Sequence, residues 1–229
     1  MWKPVSWLIM KAMILSAGRG ERMRPLTDEM PKALLCAGGQ ALIEYHLAAL
    51  AVAGVTDVVI NLAWLGEQIR SSLGNGSRYG VTIEYSDEGQ SALETGGGIV
   101  HALPLLGQDP FWVVNGDIHT DFLFDDSDLT DSDLGRLLLV PNPAHNPAGD
   151  FGLVDGRVTN VAEHTHTYSG IGLFRPELFT GQEEGVFPLA PILRDAADRG
   201  MLAGKLYDGL WIDVGTPERL AQVEQIRAR

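Results

Sequence analysis

Apolar runs of strand length alternate with helical patterns along the first half of the chain. Mostly apolar runs predict strands at 11–16, 57–62, 81–86 and 111–115. Apolar residues at helical spacing predict helices near 41–53, 65–73 and 95–103, which Gly54, Gly74 and Pro104 respectively end. Because crossover helices join parallel strands, the pattern predicts an α/β fold with a mostly parallel sheet and helices on both faces.

The pattern changes after residue 120. Asp155-Gly156, between two short apolar runs, predicts a tight hairpin, and 168–174 predicts another strand. Further elements are expected as a helix at 188–199, a strand near 201–207, a short strand at 211–213, and a final helix with Thr216 as N-cap and Pro217 behind it.

The stretch 125–133 is locally acidic and contains an Asp126-x-Asp128 spacing. This spacing is found in calcium loops, but the glycine and terminal glutamate of such a loop are absent. We therefore predict a solvated loop or helix start there.

Charge and composition narrow the class of protein. The 229 residues carry a formal net charge of -13, which disfavours nucleic acid or an anionic membrane surface as partners.

The apolar start is broken by Lys11 and leads into a strand, so we expect residues 1–9 to be an extension and 10–229 to be one domain. The lone Cys36 excludes an internal disulfide and is expected to be a small core residue. With no run long enough to span a membrane, we expect a cytoplasmic monomer or small homo-oligomer.

A glycine-containing loop rich in cations follows the first strand. Gly18 and Gly20 allow backbone N–H groups to approach an anion. Four cations lie in the same segment, namely Arg19, Arg22, Arg24 and Lys32. In an acidic protein this cluster predicts a polyphosphate site. A dinucleotide-binding loop would need a third glycine where Met23 stands, and the Gly-Lys-Ser/Thr of a P-loop is missing.

Two aspartates are placed to hold a metal ion. Asp117 follows the strand 111–115, and open α/β sheets bind ligands at such strand ends. Asp213 leaves a short apolar strand just before the final helix. Either residue alone is more often a turn or cap residue, but together with the glycine loop the two indicate a metal pair. The chain has no Lys or Arg between Arg78 and Arg136, so a phosphate that meets this acidic region needs a divalent cation.

These features together resemble the sugar-1-phosphate nucleotidyltransferases. The resemblance rests on the loop 18–27 with Pro-Lys at 31–32, on Leu-Glu-Thr-Gly-Gly-Gly at 93–98, and on the two aspartates, and it covers nearly the whole chain from Met10. It implies a three-layer, Rossmann-like fold of the glycosyltransferase-A type, with a mixed, mostly parallel sheet and helices on both faces. It also implies Mg²⁺ as cofactor and a nucleoside triphosphate and a sugar 1-phosphate as substrates.

The resemblance also implies roles for single residues. Ala17, Gly18, Arg19, Gly20, Arg22, Lys32, Glu88 and Gly96 would bind the nucleotide. Arg22, Lys32 and Asp117 would be catalytic, while Asp117 and Asp213 would hold the metal. Asn115, Gly152 and Glu163 would bind the sugar, although His164 stands where relatives often carry lysine after that glutamate.

Within the family, the chain most resembles members that transfer a uridylyl group from UTP to N-acetylmuramate α-1-phosphate in peptidoglycan recycling. This resemblance rests on its short length and on the residues at 93–98 and 115–117. Guanylyl or uridylyl transfer to mannose, heptose, glucose or N-acetylglucosamine 1-phosphate is an alternative, as is a catalytically silent nucleotide-sugar sensor. The lactyl carboxylate of muramate requires a donor or a cation. Arg157, His164, His166 and Arg194 are candidates, and the sequence does not single one out. The spacing of the two histidines would also suit zinc, but no third ligand lies nearby.

Overall fold

The computed structural model describes residues 10–124 and 129–228. The expected extension at 1–9 and the Asp126-x-Asp128 spacing lie outside the described residues.

The described strands and helices follow in chain order. The strands are β1 Lys11–Leu15, β2 Cys36–Ala37, β3 Gln40–Ala41, β4 Asp57–Leu62, β5 Thr82–Asp87, β6 Phe111–Asn115, β7 Ile118–Thr120, β8 Gly135–Val140, β9 Phe151–Val154, β10 Arg157–Thr159, β11 Thr165–Phe174, β12 Leu202–Leu206 and β13 Trp211–Asp213. The helices are α1 Leu42–Val52, α2 Gly66–Leu73, α3 Glu94–Leu106, α4 Ala190–Asp198 and α5 Pro217–Arg227. Short 3₁₀ helices lie at Glu21–Met23, Lys32–Leu34, Ser77–Tyr79 and Pro176–Phe179.

Within the described ranges, nine strands form one mixed sheet in the order β5-β4-β1-β6-β11-β8-β12-β10-β9. The strands β5, β4, β1 and β6 are parallel, as the sequence predicts. The strand β11 is antiparallel to both of its long neighbours, β6 and β8, and parallel pairing returns only between β8 and β12. Parallel pairing is thus less dominant than expected, because the hairpin β9–β10 and the long strand β11 build the second half.

Helices cover both faces of the sheet, as expected. Ala12 and Ile14 of β1 pack in one core cluster with residues of α1 and α2, while Met13 packs in another with residues of α3 and α4. This division follows from the alternation of side chains along a strand. A third cluster joins the 3₁₀ helix at 21–23 to α5 through Met23 and Val223, both fully buried.

The strand and hairpin predictions agree closely with the structure. The predicted strands 57–62 and 111–115 coincide with β4 and β6. The hairpin turn lies at Asp155-Gly156, where both residues have positive φ, 50° and 76°. This conformation is the one that tight hairpin turns of two residues require.

Three local predictions were wrong or incomplete. Helix α3 continues past Pro104, since the N–H of Gly107 still donates to Leu103 O at 3.0 Å and Leu106 is buried in the core. Core packing therefore outweighs the one hydrogen bond that proline removes. Cys36 is exposed rather than in the core, because it lies in a two-residue surface strand. The apolar strand β8 was not predicted.

Among the described residues, no helix is both long enough and apolar enough to cross a membrane.

Two histidines, His46 and His119, are buried and couple the fold to pH, because burial lowers the pKa of each. His46 lies on the inner face of α1 with 2 % of its surface exposed, and its Nε2 has no hydrogen-bond partner among the described residues. Burial lowers the pKa of His46 to about 4, and a hydrogen bond with the backbone of Ile118 opposes this lowering only in part.

The free energy of unfolding should therefore decrease as pH falls from 6.5 towards 4, because His46 binds a proton in the unfolded chain but not in the folded protein. Above 6.5 His46 is neutral in both states and adds no pH dependence. One such proton contributes a slope of up to about 1.4 kcal/mol per pH unit. Urea denaturation across this range should show that His46→Gln loses the share of the slope that His46 contributes, while the share from His119 remains. The exposed His164 offers a matched control, and an equal change of slope in His164→Gln would contradict the assignment.

Candidate active site

A cleft of about 200 Å³ opens at the carboxyl ends of the parallel strands. Because parallel strands end at the same edge of a sheet, residues distant in sequence meet there. The lining residues are Leu15, Ser16, Ala17, Gly18, Lys32, Ala33, Asn61, Glu88, Ala92, Glu94, Thr95, Asn115, Gly116 and Asp117. The structure thus brings together six of the predicted site residues, namely Ala17, Gly18, Lys32, Glu88, Asn115 and Asp117.

The two loop glycines serve different purposes. A Cβ added to Gly18 would meet no heavy atom within 4 Å, so this position leaves space for a ligand. Gly20 has a φ of +68°, and a Cβ there would lie 3.0 Å from Thr27 Cγ2 and 3.1 Å from Lys32 Cβ. Gly20 therefore lets the loop fold tightly against the stem of Lys32. The hydroxyl of Thr27 donates to Gly20 O at 2.8 Å and fixes this turn.

Two of the four loop cations face the cleft. Lys32 Nζ lies 2.5 Å from Asp117 Oδ2, and only 11 % of the Lys32 side chain is exposed. Arg22 lines an adjoining cleft of about 270 Å³ together with Lys32, Asp117 and Gly215. Both cations thus lie beside Asp117.

The other two cations have partners elsewhere. The guanidinium of Arg19 lies 4.3 Å from the ring centre of Trp64, a cation–π geometry. Arg24 pairs with Asp28 at 2.8 Å on the surface. The structure therefore directs the side chain of Arg19, which the resemblance assigned to the nucleotide, onto an aromatic ring.

The two predicted metal ligands lie on neighbouring chain segments. The strands β7 and β13 pair with Asp213 opposite Ile118, and the N–H of Val214 donates to Asp117 O at 2.8 Å. Their carboxylates face different cations. Asp117 contacts Lys32, whereas Asp213 Oδ2 accepts a hydrogen bond from Arg219 at 2.9 Å and lies 3.3 Å from His145 Nε2.

This donor set fits a divalent cation that also binds phosphate. Mg²⁺ prefers oxygen ligands and is commonly held by one or two carboxylates together with substrate phosphates. In the described part of the chain, no group of three or more His, Cys, Asp or Glu side chains could hold a metal ion by itself. Asp117 and Asp213 are adjacent through their backbones, and both carry carboxylate oxygens of the kind such a site uses. The side chain of Asp213, however, lines a separate cavity together with His145 and Arg219.

A chain of hydrogen bonds, not foreseen from the sequence, connects the glycine loop to the segment before α3. The N–H of Ser16 donates to Asn61 Oδ1, and Asn61 Nδ2 donates to Glu88 Oε1, each at 2.7 Å. Glu88 Oε2 accepts from the N–H of Leu93 at 2.7 Å. Glu88 lines the cleft as predicted, but both oxygens already have donors, so it positions this segment. Asn61 could have been found from the sequence, because it places an amide within the mostly apolar strand 57–62.

The glycines at 96–98 serve close packing. A Cβ on Gly96 would meet the ring of Phe187 at 2.7 Å, and one on Gly98 would meet Glu88 Oε1 at 2.5 Å. The N–H groups of Gly96 and Gly97 both donate to Phe187 O at 3.0 Å. Gly96 thus faces Phe187. The preceding residue Glu94 lines the cleft instead, with a strained φ of 59°.

Of the three residues predicted to bind the sugar, one lines a cavity at the site and two do not. A second cavity of about 250 Å³ shares Thr95 and Asn115 with the first cleft, so Asn115 lies at their junction. Gly152 does not line either cavity, and a Cβ there would collide with Ala162. The side chain of Glu163 is exposed and also lies outside the lining of both cavities.

Two known proteins of similar sequence align with this chain over nearly their whole length, and a third is longer. It is 52% identical over 226 residues to the N-acetylmuramate alpha-1-phosphate uridylyltransferase of Neisseria meningitidis serogroup B, across 95% of this chain and 98% of that protein. A protein of the same name from Caulobacter vibrioides is 35% identical over 223 residues, across 90% and 92%. The mannose-1-phosphate guanylyltransferase catalytic subunit beta of Danio rerio is 30% identical over 231 residues, across 91% of this chain and 62% of that protein.

Solved structures show the same fold. A putative glucose-1-phosphate thymidylyltransferase from Bacillus anthracis superimposes with a TM-score of 0.78 and 21% identity, covering 95% of both chains. The inositol-1-phosphate CTP transferase from T. maritima gives 0.75 and 19%, covering 96% of both.

The sequence model of the family described as nucleotidyl transferase matches residues 11–228. That match spans all the strands and helices described above. Together with the two long alignments above 30% identity, it shows that this chain belongs to the nucleotidyl transferase family, among the sugar-1-phosphate nucleotidyltransferases.

Proposed function

We propose that this chain transfers a uridylyl group from UTP to N-acetylmuramate α-1-phosphate, which yields UDP-N-acetylmuramate and pyrophosphate. The observation that carries the proposal is the convergence of Arg22, Lys32 and Asp117 beside one cleft, in a chain 52% identical to a relative of that name. The backbone pairing of Asp117 with the segment that follows Asp213 supports the same chemistry.

The reaction requires alignment and charge neutralisation more than proton transfer. The attacking oxygen of a sugar 1-phosphate is already anionic near neutral pH, so no general base is needed. Attack on the α-phosphorus of UTP breaks its bond to the bridging oxygen, and that oxygen leaves with pyrophosphate. Cations near this position stabilise the charge that develops on the leaving group.

Lys32 is one of the cations placed to stabilise the charge on the leaving group. Its ammonium group is mostly buried and pairs with Asp117 at 2.5 Å. A phosphate oxygen that takes the place of Asp117 keeps Lys32 paired and releases the Asp117 carboxylate. Arg22 adds a second cation on the same side, beside Gly215.

Asp117 and Asp213 are the residues that would hold Mg²⁺. When bound, Mg²⁺ supplies positive charge that lets two anionic substrates approach each other. For this, Asp213 has to exchange its contacts with Arg219 and His145, while its backbone stays fixed by the pairing of β13 with β7.

The remaining assignments extend the proposal. Residues 10–229 act as one domain, which the family match over 11–228 supports. The protein is a cytoplasmic monomer or small homo-oligomer, and its net charge of -13 argues against nucleic acid as a partner.

Substitution of either cleft-facing cation should lower turnover. Lys32→Ala and Arg22→Ala each remove a charge partner of the leaving group, and such losses typically reduce kcat by about 10²–10³-fold. Arg24→Ala is the matched control from the same loop. It should stay within about threefold of wild type, because an exposed ion pair contributes little. Steady-state pyrophosphate release measures all three, and wild-type turnover in both cleft variants would refute the roles of Lys32 and Arg22.

Asp117→Asn should abolish Mg²⁺-dependent activity while the protein remains folded. The substitution keeps the shape of the side chain and the hydrogen bond from Val214 to the backbone carbonyl, but removes one metal-binding charge. Circular dichroism and thermal melting check the fold beside the activity assay. A variant that unfolds at room temperature would instead make Asp117 a structural residue.

Substrate preference tests the proposed function directly. Pyrophosphate release is measured with Mg²⁺, four nucleoside triphosphates and the 1-phosphates of N-acetylmuramate, N-acetylglucosamine, glucose, mannose and heptose. We expect activity confined to UTP with N-acetylmuramate 1-phosphate. Preference for another pair would keep the mechanism and replace the substrate. No release with any pair, from folded protein that binds nucleotide, would favour a sensor.

A further inference from the structure

The second cavity, of about 250 Å³, adjoins the nucleotide cleft, and we refer to it as the side cavity. Its lining residues are Thr95, Asn115, Asp150, Phe151, Tyr168, Pro188, Leu189, Ala190, Leu193 and Arg194. Thr95 and Asn115 line both spaces, so a sugar whose phosphate lies near Lys32 and Asp117 would extend past them into the side cavity.

An unpaired hydroxyl lies behind the wall of this cavity. Tyr168 contributes to the lining, and its Oη is buried without a hydrogen-bond partner among the described residues. Buried polar groups nearly always have a partner. Burial also raises the pKa of Tyr168, which keeps the hydroxyl protonated and able to donate. The hydroxyl is thus a buried donor behind the wall of the side cavity, while other atoms of Tyr168 form part of the lining.

Arg194 supplies the cavity with a cation. Its guanidinium lies 5.0 Å from the ring centre of Phe151, and Nη1 donates to Asn160 Oδ1 at 3.3 Å. Asn160 in turn donates to Arg194 O at 2.8 Å and so ties the helix α4 to this segment. Over residues 10–124 and 129–228, no carboxylate lies within ion-pair distance of Arg194. Since the sequence holds 30 Asp and Glu against 17 Lys and Arg, such an arginine is available to an anionic ligand.

The other cations considered for the sugar are placed differently. Arg157 pairs with the buried carboxylate of Asp133, so its charge has a partner. His164 and His166 do not line the side cavity. Arg194 is the candidate that the structure brings to the cavity wall.

The cavity also contains an acceptor. Asp150 receives hydrogen bonds from the N–H of Tyr168 at 2.8 Å and from Asn146 Nδ2 at 3.2 Å. Its carboxylate opposes an anion placed directly beside it, but it suits the hydroxyl or amide N–H groups of a sugar. The lining thus matches a sugar that carries both hydrogen-bond donors and one separate carboxylate.

We propose that the side cavity is a subsite for the carboxylate substituent of the sugar, with Arg194 as the residue that binds this carboxylate. Arg194 then sets a preference for N-acetylmuramate 1-phosphate over N-acetylglucosamine 1-phosphate, which lacks the lactyl group. The planar guanidinium can bind a carboxylate through two parallel hydrogen bonds. This inference rests on the proposed function.

The test compares Arg194→Gln with wild type on both sugar phosphates at saturating UTP. For N-acetylmuramate 1-phosphate we expect KM to rise by about 10- to 100-fold, the usual effect of losing a hydrogen bond to a charged group. The KM of N-acetylglucosamine 1-phosphate, or its inhibition constant where it is not turned over, should change by less than about threefold, because uncharged contacts remain. Arg194→Lys should restore part of the discrimination, since it keeps the charge and loses the planar fork.

Arg199→Gln is the matched control, because Arg199 lies directly after α4 and pairs with Asp195 outside the cavity. It should leave both constants unchanged, and thermal melting verifies the fold of each variant. If wild type does not use N-acetylmuramate 1-phosphate, the proposed function fails and the inference fails with it. If wild type uses it but Arg194→Gln affects both sugar phosphates equally, or neither, the subsite alone is refuted.

Discussion

The pairing of two three-residue strands, β7 and β13, is the contact on which the site depends. It places Asp213 opposite Ile118 and lets Val214 donate to Asp117 O at 2.8 Å, although the two aspartates are far apart in sequence. Asp117 directly follows the central parallel strand β6, so the sheet fixes its position. The strand β13 leads into α5, whose buried Val223 packs in one cluster with Met23 of the cation-bearing loop. One backbone pairing thus connects the two proposed metal ligands, the cation-bearing loop and the last helix.

Opposite charges within the site balance one another before any ligand binds. Lys32 pairs with Asp117, and Arg219 pairs with Asp213. A buried charge without a partner is costly, so these pairs hold both aspartates and both cations in place. In the proposed reaction, phosphate and a divalent cation would replace these partners and leave no charge unpaired. The two pairs also show how an acidic chain keeps cations together in one region.

The elements that the sequence predicted well are those governed by local rules. Buried parallel strands are continuous apolar runs, so β4 and β6 were predicted to the residue. The loop cations Lys32 and Arg22 were also predicted to face one site, and the structure places both beside Asp117. Arg19 was different, because its partner Trp64 comes from a distant segment that no local pattern connects to it. Asn61 was missed for the same reason, since its hydrogen bonds join three separate segments.

The two halves of the sheet differ in how clearly the sequence indicates their candidate site residues. In the parallel half, strand ends converge at one edge, so short motifs next to each strand indicate the proposed phosphate-binding residues directly. In the half that is mostly antiparallel, the side cavity is built from Asp150, Tyr168 and Arg194, which belong to three different elements. No spacing along the chain connects these residues, and only the folded sheet brings them together. The proposed recognition of the sugar therefore depends on tertiary contacts, and related chains can share the phosphate chemistry while they differ in the sugar they bind.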